Sequence, residues 1–505
     1  MKLLLINPPW TYPKKYFKRS DLSVSIPLGL LYLASMIEKH MKKSVQIKIL
    51  DSFTLEKNIV HETDSMFHLG ARFNKLSKEI EKFKPDVIGI TSPFTSQVNN
   101  AIKIVKIAKN LFPNIPVIMG GPHSTIQPIE LLKEKVDICV IGEAEDTFLE
   151  IIERLKSKKP LLAIPGTAYK NKITPKKEFI DNLDEIPFPA YHLINMKRYF
   201  QLFELGFSNR PYNASHRTLP IITSRGCPFN CCFCSIHLHM GRKWRAHSSK
   251  YVIKHIKHMV KKYNVKHISF EDDNLTLDTK RFEEILNGLI KNNIKITWDT
   301  PNGVRADKLT KKILIKAKQT GCKALVIGIE SGVKRILDKV INKSLDLNKV
   351  IKISKSAKEV GLLVSAFFMI GIPGETKKDI KNTLKFAIML NKKYDVMPSV
   401  TFAAPLIGTP MYDQALKKGY LTKKITPKTL LVASHTTGKG LLKTKEFTPE
   451  FLKSEIEKFY SKLTRQQLMK PTYLIKRFID NPKMFFRLGW ILIKKQIKGK
   501  QNPYS

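Results

Sequence analysis

The sequence predicts an α/β protein with an N-terminal, doubly wound parallel sheet, an incomplete parallel barrel and a helical C-terminal region. Three observations predict it. Short apolar runs alternate with helical patterns through residues 1–170, a second alternating series starts near Thr218, and after about Leu430 the pattern turns to basic helices. Short buried strands separated by helices indicate parallel sheets, whose connections cross over through helices.

In the first series, strands are expected at Leu3 to Ile6, Ile47 to Asp51, Val87 to Thr91, Val117 to Gly121 and Ile138 to Gly142. Leu28 to His40 and Asn100 to Phe112 carry apolar residues every three or four positions and read as helices. Open parallel sheets bind ligands beyond the carboxyl ends of their strands. Those ends here read Asn7 to Pro9, Thr91 to Gln97, Gly120 to Thr125 and Gly142 to Glu145. All are small, polar or turn-forming, and their gathering along one edge predicts a ligand crevice.

The proline-bearing stretch Asp181 to Leu193 reads as a linker or docking segment. Beyond it, strands are expected at Leu219 to Thr223, His267 to Glu271, Ile294 to Asp299, Leu325 to Glu330, Leu363 to Ile370 and Val400 to Ala404. Helical patterns such as Val252 to Tyr263, Lys280 to Lys291 and Lys377 to Asn391 separate most of them. Such a series fits a partial (β/α)6 barrel of the TIM type, with functional residues at the strand ends. The expected domains are 1–170, a linker over 171–215, a barrel over 216–430 and a basic helical region over 431–505.

Hydrophobic residues make up 43% and charged residues 26% of the 505, and no apolar run reaches the ~18 residues that span a bilayer. A soluble or peripheral protein is expected. The opening residues Met1 to Trp10 read as a first strand rather than a signal-peptide core, and six cysteines are no disulfide framework, so the expected compartment is the cytoplasm. Lysine plus arginine number 88 against 43 aspartate plus glutamate, a formal net charge of +45 that would attract polyanions. The basic residues are spread along nearly every predicted helix without a compact block, so they read as solvated faces, and no nucleic-acid partner is expected. In the tail, Met484, Phe485, Leu488, Ile491 and Leu492 recur at helical spacing with Trp490 beside them. That pattern suits either an interfacial helix on anionic lipid or a helix docked on the barrel.

Cys227, Cys231 and Cys234 stand in C-x3-C-x2-C spacing directly after the first barrel strand. Three thiolates on one loop can hold three irons of a [4Fe-4S] cluster and leave the fourth open for reaction. A structural zinc ion is the rival, with His237 or His239 as fourth ligand, but no second C-x2-C pair exists. A disulfide fits the cytoplasmic reading poorly. Cys232 is expected to point away from the cluster, Cys139 to lie in a buried strand and Cys322 at a helix end, all as packing residues.

The loop, with Phe233 before the third cysteine, resembles the signature of the radical S-adenosylmethionine (SAM) superfamily. The resemblance implies that Cys227, Cys231 and Cys234 hold the cluster, that SAM chelates its open iron, and that Phe233 borders the adenine. Phe270 to Thr276 is similar to the second-strand segment that contacts the methionine amino group, which implicates Glu271, Asp272 and Asp273. Gly328 to Gly332 resembles the fourth-strand motif, where Glu330 or Ser331 would face the ribose. Gly371 to Thr376 resembles the fifth-strand turn near the adenine, through Gly371 and Gly374. Arg305 is either a carboxylate binder or a partner of Asp307. Trp244 and Arg245 either close over the site or pack the loop, and neither is assigned a catalytic role.

The first 150 residues resemble the cobalamin (B12)-binding, Rossmann-like domain that precedes the barrel in one large radical SAM class. The matching segments are Ile6 to Pro9, Pro27 to Ala34, Gly89 to Gln97, Gly120 to Thr125 and Cys139 to Phe148. The resemblance implies cobalamin contacts from Asn7, Pro8, Thr91, Ser92, Ser96, Gly120, Gly121, His123, Gly142 and Glu143. Many such domains supply a cobalt-ligating histidine through a D-x-H-x-x-G motif. Asp51 to Glu56 has Phe53 in the histidine position and no glycine. Cobalamin is therefore expected without a protein histidine on cobalt, and the same departure fits a domain that has lost the cofactor. His123 reads as a hydrogen-bonding or helix-capping histidine.

Together these resemblances imply a cobalamin-dependent C-methyltransferase that uses one SAM to methylate cobalamin and cleaves a second to a 5′-deoxyadenosyl radical, which attacks an unreactive carbon. A ferredoxin or flavodoxin is the expected electron donor. A radical cyclase or carbon–carbon coupling enzyme, acting on a lipid if the tail meets membrane, and a cobalamin- or redox-sensing protein are the alternatives. Methylthiolation of tRNA is set aside because residues 1–138 lack the second cysteine triad of that group.

Overall fold

Leu3, Leu4, Leu5 and Ile6 are consecutive and wholly shielded from solvent, so their strand must be covered on both faces. In the computed structural model, which describes residues 1–176, 178–208, 214–433 and 440–468, that strand is an interior strand of a seven-stranded sheet. The first strands are β1 (Lys2–Asn7), β2 (Trp10–Pro13), β3 (Gln46–Asp51), β4 (Val60–Glu62), β5 (Met66–Leu69), β6 (Val87–Thr91), β7 (Val117–Gly120), β8 (Ile138–Val140), β9 (Thr167–Tyr169) and β10 (Lys172–Thr174). The large sheet runs β10-β9-β8-β7-β6-β1-β3, parallel from β8 to β3, with β9 and β10 as an antiparallel edge. The strand order reverses between β1 and β6, which opens a crevice at their carboxyl ends.

The expected strands and helices of this half all form, with helices at Leu28–Met41 and Val98–Leu111. A three-stranded antiparallel sheet, β2-β5-β4, was not expected from the sequence. Its strands have three or four residues each, too short for a period-two pattern to stand out.

The second half continues with β11 (Thr218–Ile221), β12 (Ser224–Arg225), β13 (Arg245–Ala246), β14 (His267–Phe270), β15 (Thr297–Asp299), β16 (Cys322–Glu330), β17 (Val364–Ile370) and β18 (Met397–Phe402). Six of them form a parallel sheet in the order β11-β14-β15-β16-β17-β18. Alternation sets the faces. On β17, Val364, Ala366, Phe368 and Ile370 are buried, and Phe368 meets Phe386 of the helix Lys377–Tyr394. Ser365, Phe367 and Met369 lie on the opposite face and are half-buried. Cys322 opens β16 instead of ending a helix; the helix Lys311–Gln319 stops before it and a turn at Thr320 and Gly321 intervenes.

By its contacts the chain divides into Met1–Leu452, which holds both large sheets, and Lys453–Ser505. The second unit is described only over 453–468, within the helix Pro449–Leu468. The expected tail helix, with Met484, Phe485, Leu488, Trp490, Ile491 and Leu492, lies outside the described residues. No helix among the described residues is long and apolar enough to cross a membrane.

Trp298 anchors the helix-facing side of β15. It is wholly buried, its ring lies 5.6 Å from Phe270 and 6.1 Å from Phe282, and its Nε1 donates to Thr320 Oγ1 at 3.1 Å. Trp298→Ala is expected to destabilise the protein by about 4 kcal/mol, and Trp298→Phe by clearly less, read as shifts of the urea midpoint followed by circular dichroism.

Candidate functional site

The cysteine loop leaves β11 and is closed at its neck by β12 and β13, where Ser224 pairs with Ala246 and Arg225 with Arg245. Gly226 enters the loop at φ 80°, and a Cβ there would lie 2.5 Å from the Lys243 carbonyl oxygen, so the turn needs glycine. Cys227 N–H donates to Gly241 O, Cys234 N–H to Cys231 O, and Cys232 N–H to Ile341 O. The three spaced thiols are partly exposed, whereas Cys139 and Cys322 are buried. Burial pushes the Cys231 thiol up, and it pushes Cys234 up to about 11. Among the described residues no three His, Cys, Asp or Glu side chains converge as they would on a single ion. Thiolates that each take a different iron stand further apart than the ligands of one ion, so this spacing is compatible with a cluster.

The segment after β14 holds the loop from below. Asp272 Oδ1 accepts from Thr223 N at 3.1 Å, Thr223 Oγ1 at 2.7 Å and Ser224 Oγ at 2.6 Å. Asp273 accepts from Gly226 N at 2.8 Å, and burial pushes its carboxyl up to about 6. Asn274 Nδ2 donates to Cys227 Sγ at 3.7 Å. Most of this hydrogen bonding shapes the cysteine loop. The remaining acceptors Asp272 Oδ2, Asn274 Oδ1 and Thr276 Oγ1 are buried with no partner. Glu271 binds through its main chain, its N–H to Ile221 O and its carbonyl to Asn302 Nδ2.

At the other strand ends the expected residues separate by role. Glu330 ends β16 at φ 71°, beside a register shift, with its carboxylate 2.9 Å from Lys343 Nζ. A non-glycine residue at positive φ is uncommon within a strand. Ser331 is wholly buried, hydrogen-bonds Thr383 Oγ1 at 2.9 Å and accepts from Val333 N, so it caps the next turn. Gly371 N–H donates to Glu375 Oε2 at 2.7 Å, and Gly374 follows in the same turn. Phe233 is half-buried on the loop. Arg305 grips Asp307 through two hydrogen bonds and lies 3.9 Å over the Phe229 ring. Trp244 Nε1 donates to Asn274 O, and Arg245 turns away to Glu143, so both pack the loop.

At the first sheet's edge lies a cavity of about 300 Å³. Thr91, Gly120, Gly121, Gly142 and Glu143 line it, with Tyr32 and Phe148, and the second half adds Ile222, Arg225 and Met240. Asn7, Pro8, Ser92, Ser96 and His123 do not line it. Asn7 Nδ2 instead donates to the buried Asp51, and His123 Nδ1 lies 3.2 Å from Thr95 Oγ1. Burial lowers His123 to about 4, which keeps it neutral near pH 7. Ser92 Oγ is buried without a partner, and its main chain bonds Gly120. Gly121 sits at φ 108°, where a Cβ would fall 2.7 Å from Ser92 O. Phe53 is wholly buried, 5.1 Å edge-on from Trp10.

Sequence reasoning missed Arg225, Glu145, Tyr32 and Lys343. The only signal for Arg225 was its place directly before Gly226 and Cys227.

Two outcomes are expected. Gly226→Ala should lower bound iron to well under half of wild type while circular dichroism stays native, because it displaces the loop and not the sheet. Glu375 is wholly buried and raised to about 8, by burial first and by Asp379, against the lowering effects of Ile372 N–H, Gly371 N–H and Arg335. A carboxyl raised above its unfolded value favours folding only while protonated, so stability should fall as pH rises from about 5 to about 8. Glu375→Gln should flatten that slope and add on the order of a few kcal/mol at pH 9, measured by urea unfolding across pH.

A family model described as the radical SAM superfamily matches residues 221–387, and one described as the B12 binding domain matches residues 20–152. The chain is 34% identical over 511 residues to the "Uncharacterized methyltransferase PH0819" of Pyrococcus horikoshii, covering 100% of this chain and 99% of that one. It is 28% identical to the cytidylyl-2-hydroxyethylphosphonate methyltransferase of Streptomyces wedmorensis over 83% of this chain and 82% of that one. The solved structure of the radical SAM methyltransferase TsrM from Kitasatospora setae, with cobalamin and a [4Fe-4S] cluster bound, shares the fold at a TM-score of 0.63 and 14% identity, covering 84% of this chain and 79% of that one. With both domain models matched in this order beside a full-length relative, the chain belongs to the radical SAM superfamily, in the group that carries an N-terminal B12-binding domain.

Proposed function

We propose that the chain is a cobalamin-dependent radical SAM enzyme that methylates an unreactive carbon. The observation that carries this reading is the shared wall of the edge cavity: Thr91, Gly120 and Gly142 line it together with Ile222, Arg225 and Met240, which flank the cysteine triad on both sides. The domain division proposed with it is 1–170 for cobalamin, 171–215 as linker, 216–430 for the cluster and SAM, and 431–505 as the basic helical region.

The residues present fit the groups the family uses. Cys227, Cys231 and Cys234 would hold the cluster and leave one iron open. The unpartnered Asp272 Oδ2 and Asn274 Oδ1 beside that loop suit an ammonium donor such as the amino group of SAM. Glu330 would face the ribose, while Phe233, Gly371 and Gly374 would border the adenine, with Glu375 holding that turn in shape. A glycine-lined, largely apolar cavity suits part of a large flat cofactor. No histidine stands at the position of Phe53, so cobalamin would bind without one on cobalt. When bound, these groups supply an electron, a methyl group and a metal centre to carry it.

The chain's own contribution is placement. Asp272 and Asp273 fix the loop, Glu330 and Lys343 hold a paired charge at the barrel mouth, and buried walls exclude water. The proposed electron donor is a ferredoxin or flavodoxin. Contact with anionic lipid through the tail is proposed from its sequence alone.

The test is anaerobic. After reconstitution with iron, sulfide and cobalamin, dithionite and SAM are added, and 5′-deoxyadenosine and S-adenosylhomocysteine are quantified by mass spectrometry. Both products are expected, and a variant with Cys227→Ala, Cys231→Ala and Cys234→Ala should make no deoxyadenosine. Deoxyadenosine alone would shift the reading to a cyclase or other non-methylating radical enzyme. Neither product from a fully loaded protein would overturn catalysis in favour of a sensor.

A further inference from the structure

We infer that Glu143 is a positioning residue that locks the cysteine loop against the cobalamin edge of the first domain, an inference that rests on the function proposed above. Its carboxylate bridges both sides of the loop's neck. Oε1 accepts from Arg225 Nη1 at 2.5 Å, and Oε2 accepts from Arg245 Nη1 at 2.8 Å and from Ile180 N at 2.9 Å. Arg225 and Arg245 are paired residues of the β12–β13 ladder, so one carboxylate clasps the two chains that enter and leave the loop. A second carboxylate, Glu145, accepts from Arg225 Nη2 at 2.7 Å.

The cluster is dry. Side-chain exposure is 0% for Glu143, 2% for Arg245, 6% for Arg225 and 8% for Glu145. Two carboxylates meet two guanidiniums, and loss of one member would strand a buried charge, so the arrangement has little freedom to slide. Burial raises the Glu145 carboxyl, but the charge and hydrogen bond of Arg225, with a main-chain hydrogen bond and Lys176, together hold it below its ordinary range.

Both ends of the clasp lie beside the chemistry. Arg225 is two residues before Cys227, and Glu143 directly follows Gly142, whose main chain lines the edge cavity. Arg245 Nη2 also donates at 3.0 Å to the carbonyl of Met240, which lines the same cavity. With both Glu143 oxygens engaged and its carbonyl taken by Lys176 Nζ, a cobalamin contact from this residue would fall to its main-chain N–H. A shift of the neck would move the cysteine triad relative to the cavity, and a misplacement of ~1 Å costs on the order of a hundredfold in rate.

The experiment compares wild type, Glu143→Gln and Arg245→Lys, each reconstituted anaerobically with cluster and cobalamin. Glutamine keeps the shape but turns an NH2 toward one guanidinium, and lysine keeps the charge but cannot reach all three of its acceptors. Iron and cobalamin are counted per chain. Electron paramagnetic resonance then measures how strongly the reduced cluster relaxes the Co(II) signal. Both variants are expected to load fully, to show weakened relaxation, and to lose on the order of a hundredfold in S-adenosylhomocysteine formation while deoxyadenosine formation stays within a few-fold of wild type. A merely structural defect would lower both products together. Wild-type relaxation and product ratio in both variants would overturn the inference, as would loss of cobalamin by Glu143→Gln alone, which would make the carboxylate a direct ligand. If wild type itself fails to load, the proposed function falls and takes this inference with it. Should Glu143→Gln not fold, Arg245→Lys carries the comparison.

Discussion

The loop between Arg225 and Arg245 holds three spaced thiols and one short helix, Ile236–Met240, so its shape depends on groups outside it. Main-chain donors in such a loop need partners: Cys227 and Cys234 find theirs within the loop, at Gly241 and Cys231, and others are taken from outside. Asp272 takes the approach at Thr223 and Ser224, Asp273 takes Gly226, and Ile341 takes Cys232. The neck arginines are taken by the first domain. A parallel sheet gathers its strand ends at one edge, which is why an alternating βα chain can surround one loop with so many fixed acceptors.

Buried carboxylates do most of this work, and their cost explains their company. Asp272 is raised by burial, and it survives beside three donors and the Arg281 charge. Glu375 is raised too, to about 8, and serves two main-chain N–H groups with one oxygen. Only an apolar replacement of a whole such arrangement would be as stable, because removing one carboxylate alone would strand the buried donors it serves. What they provide is geometry, because a carboxylate with two or three directed donors leaves a backbone turn a single arrangement.

The fold was legible because its strands are apolar on both faces. Leu3 to Ile6 and Val87 to Thr91 could be read directly, and the barrel strands alternated with helices whose apolar spacing was regular. Cys322 was misread as a helix end because the helix before it is followed by only a two-residue turn. At the site, the cysteine spacing and the order of the strand-end motifs were visible, but the division of labour within them was not. The bonds from Thr223 and Ser224 to Asp272 span 49 and 48 residues, and the Arg225 bond to Glu143 spans 82. No local pattern encodes such pairings. Ser331 looked equivalent to Glu330 until Thr383 claimed its hydroxyl.

The same distinction resolves the chain's charge. A net +45 would oppose bringing two basic domains together if the excess reached their boundary. There the arginines are matched: where the halves meet, Arg225 and Arg245 face Glu143 and Glu145. Exposed pairs elsewhere, such as Lys311 with Glu359, contribute little in water. Basic surface can therefore accumulate on solvated helices with small effect on folding, while the few acidic residues at the boundary are constrained in number and position by the arginines they must match.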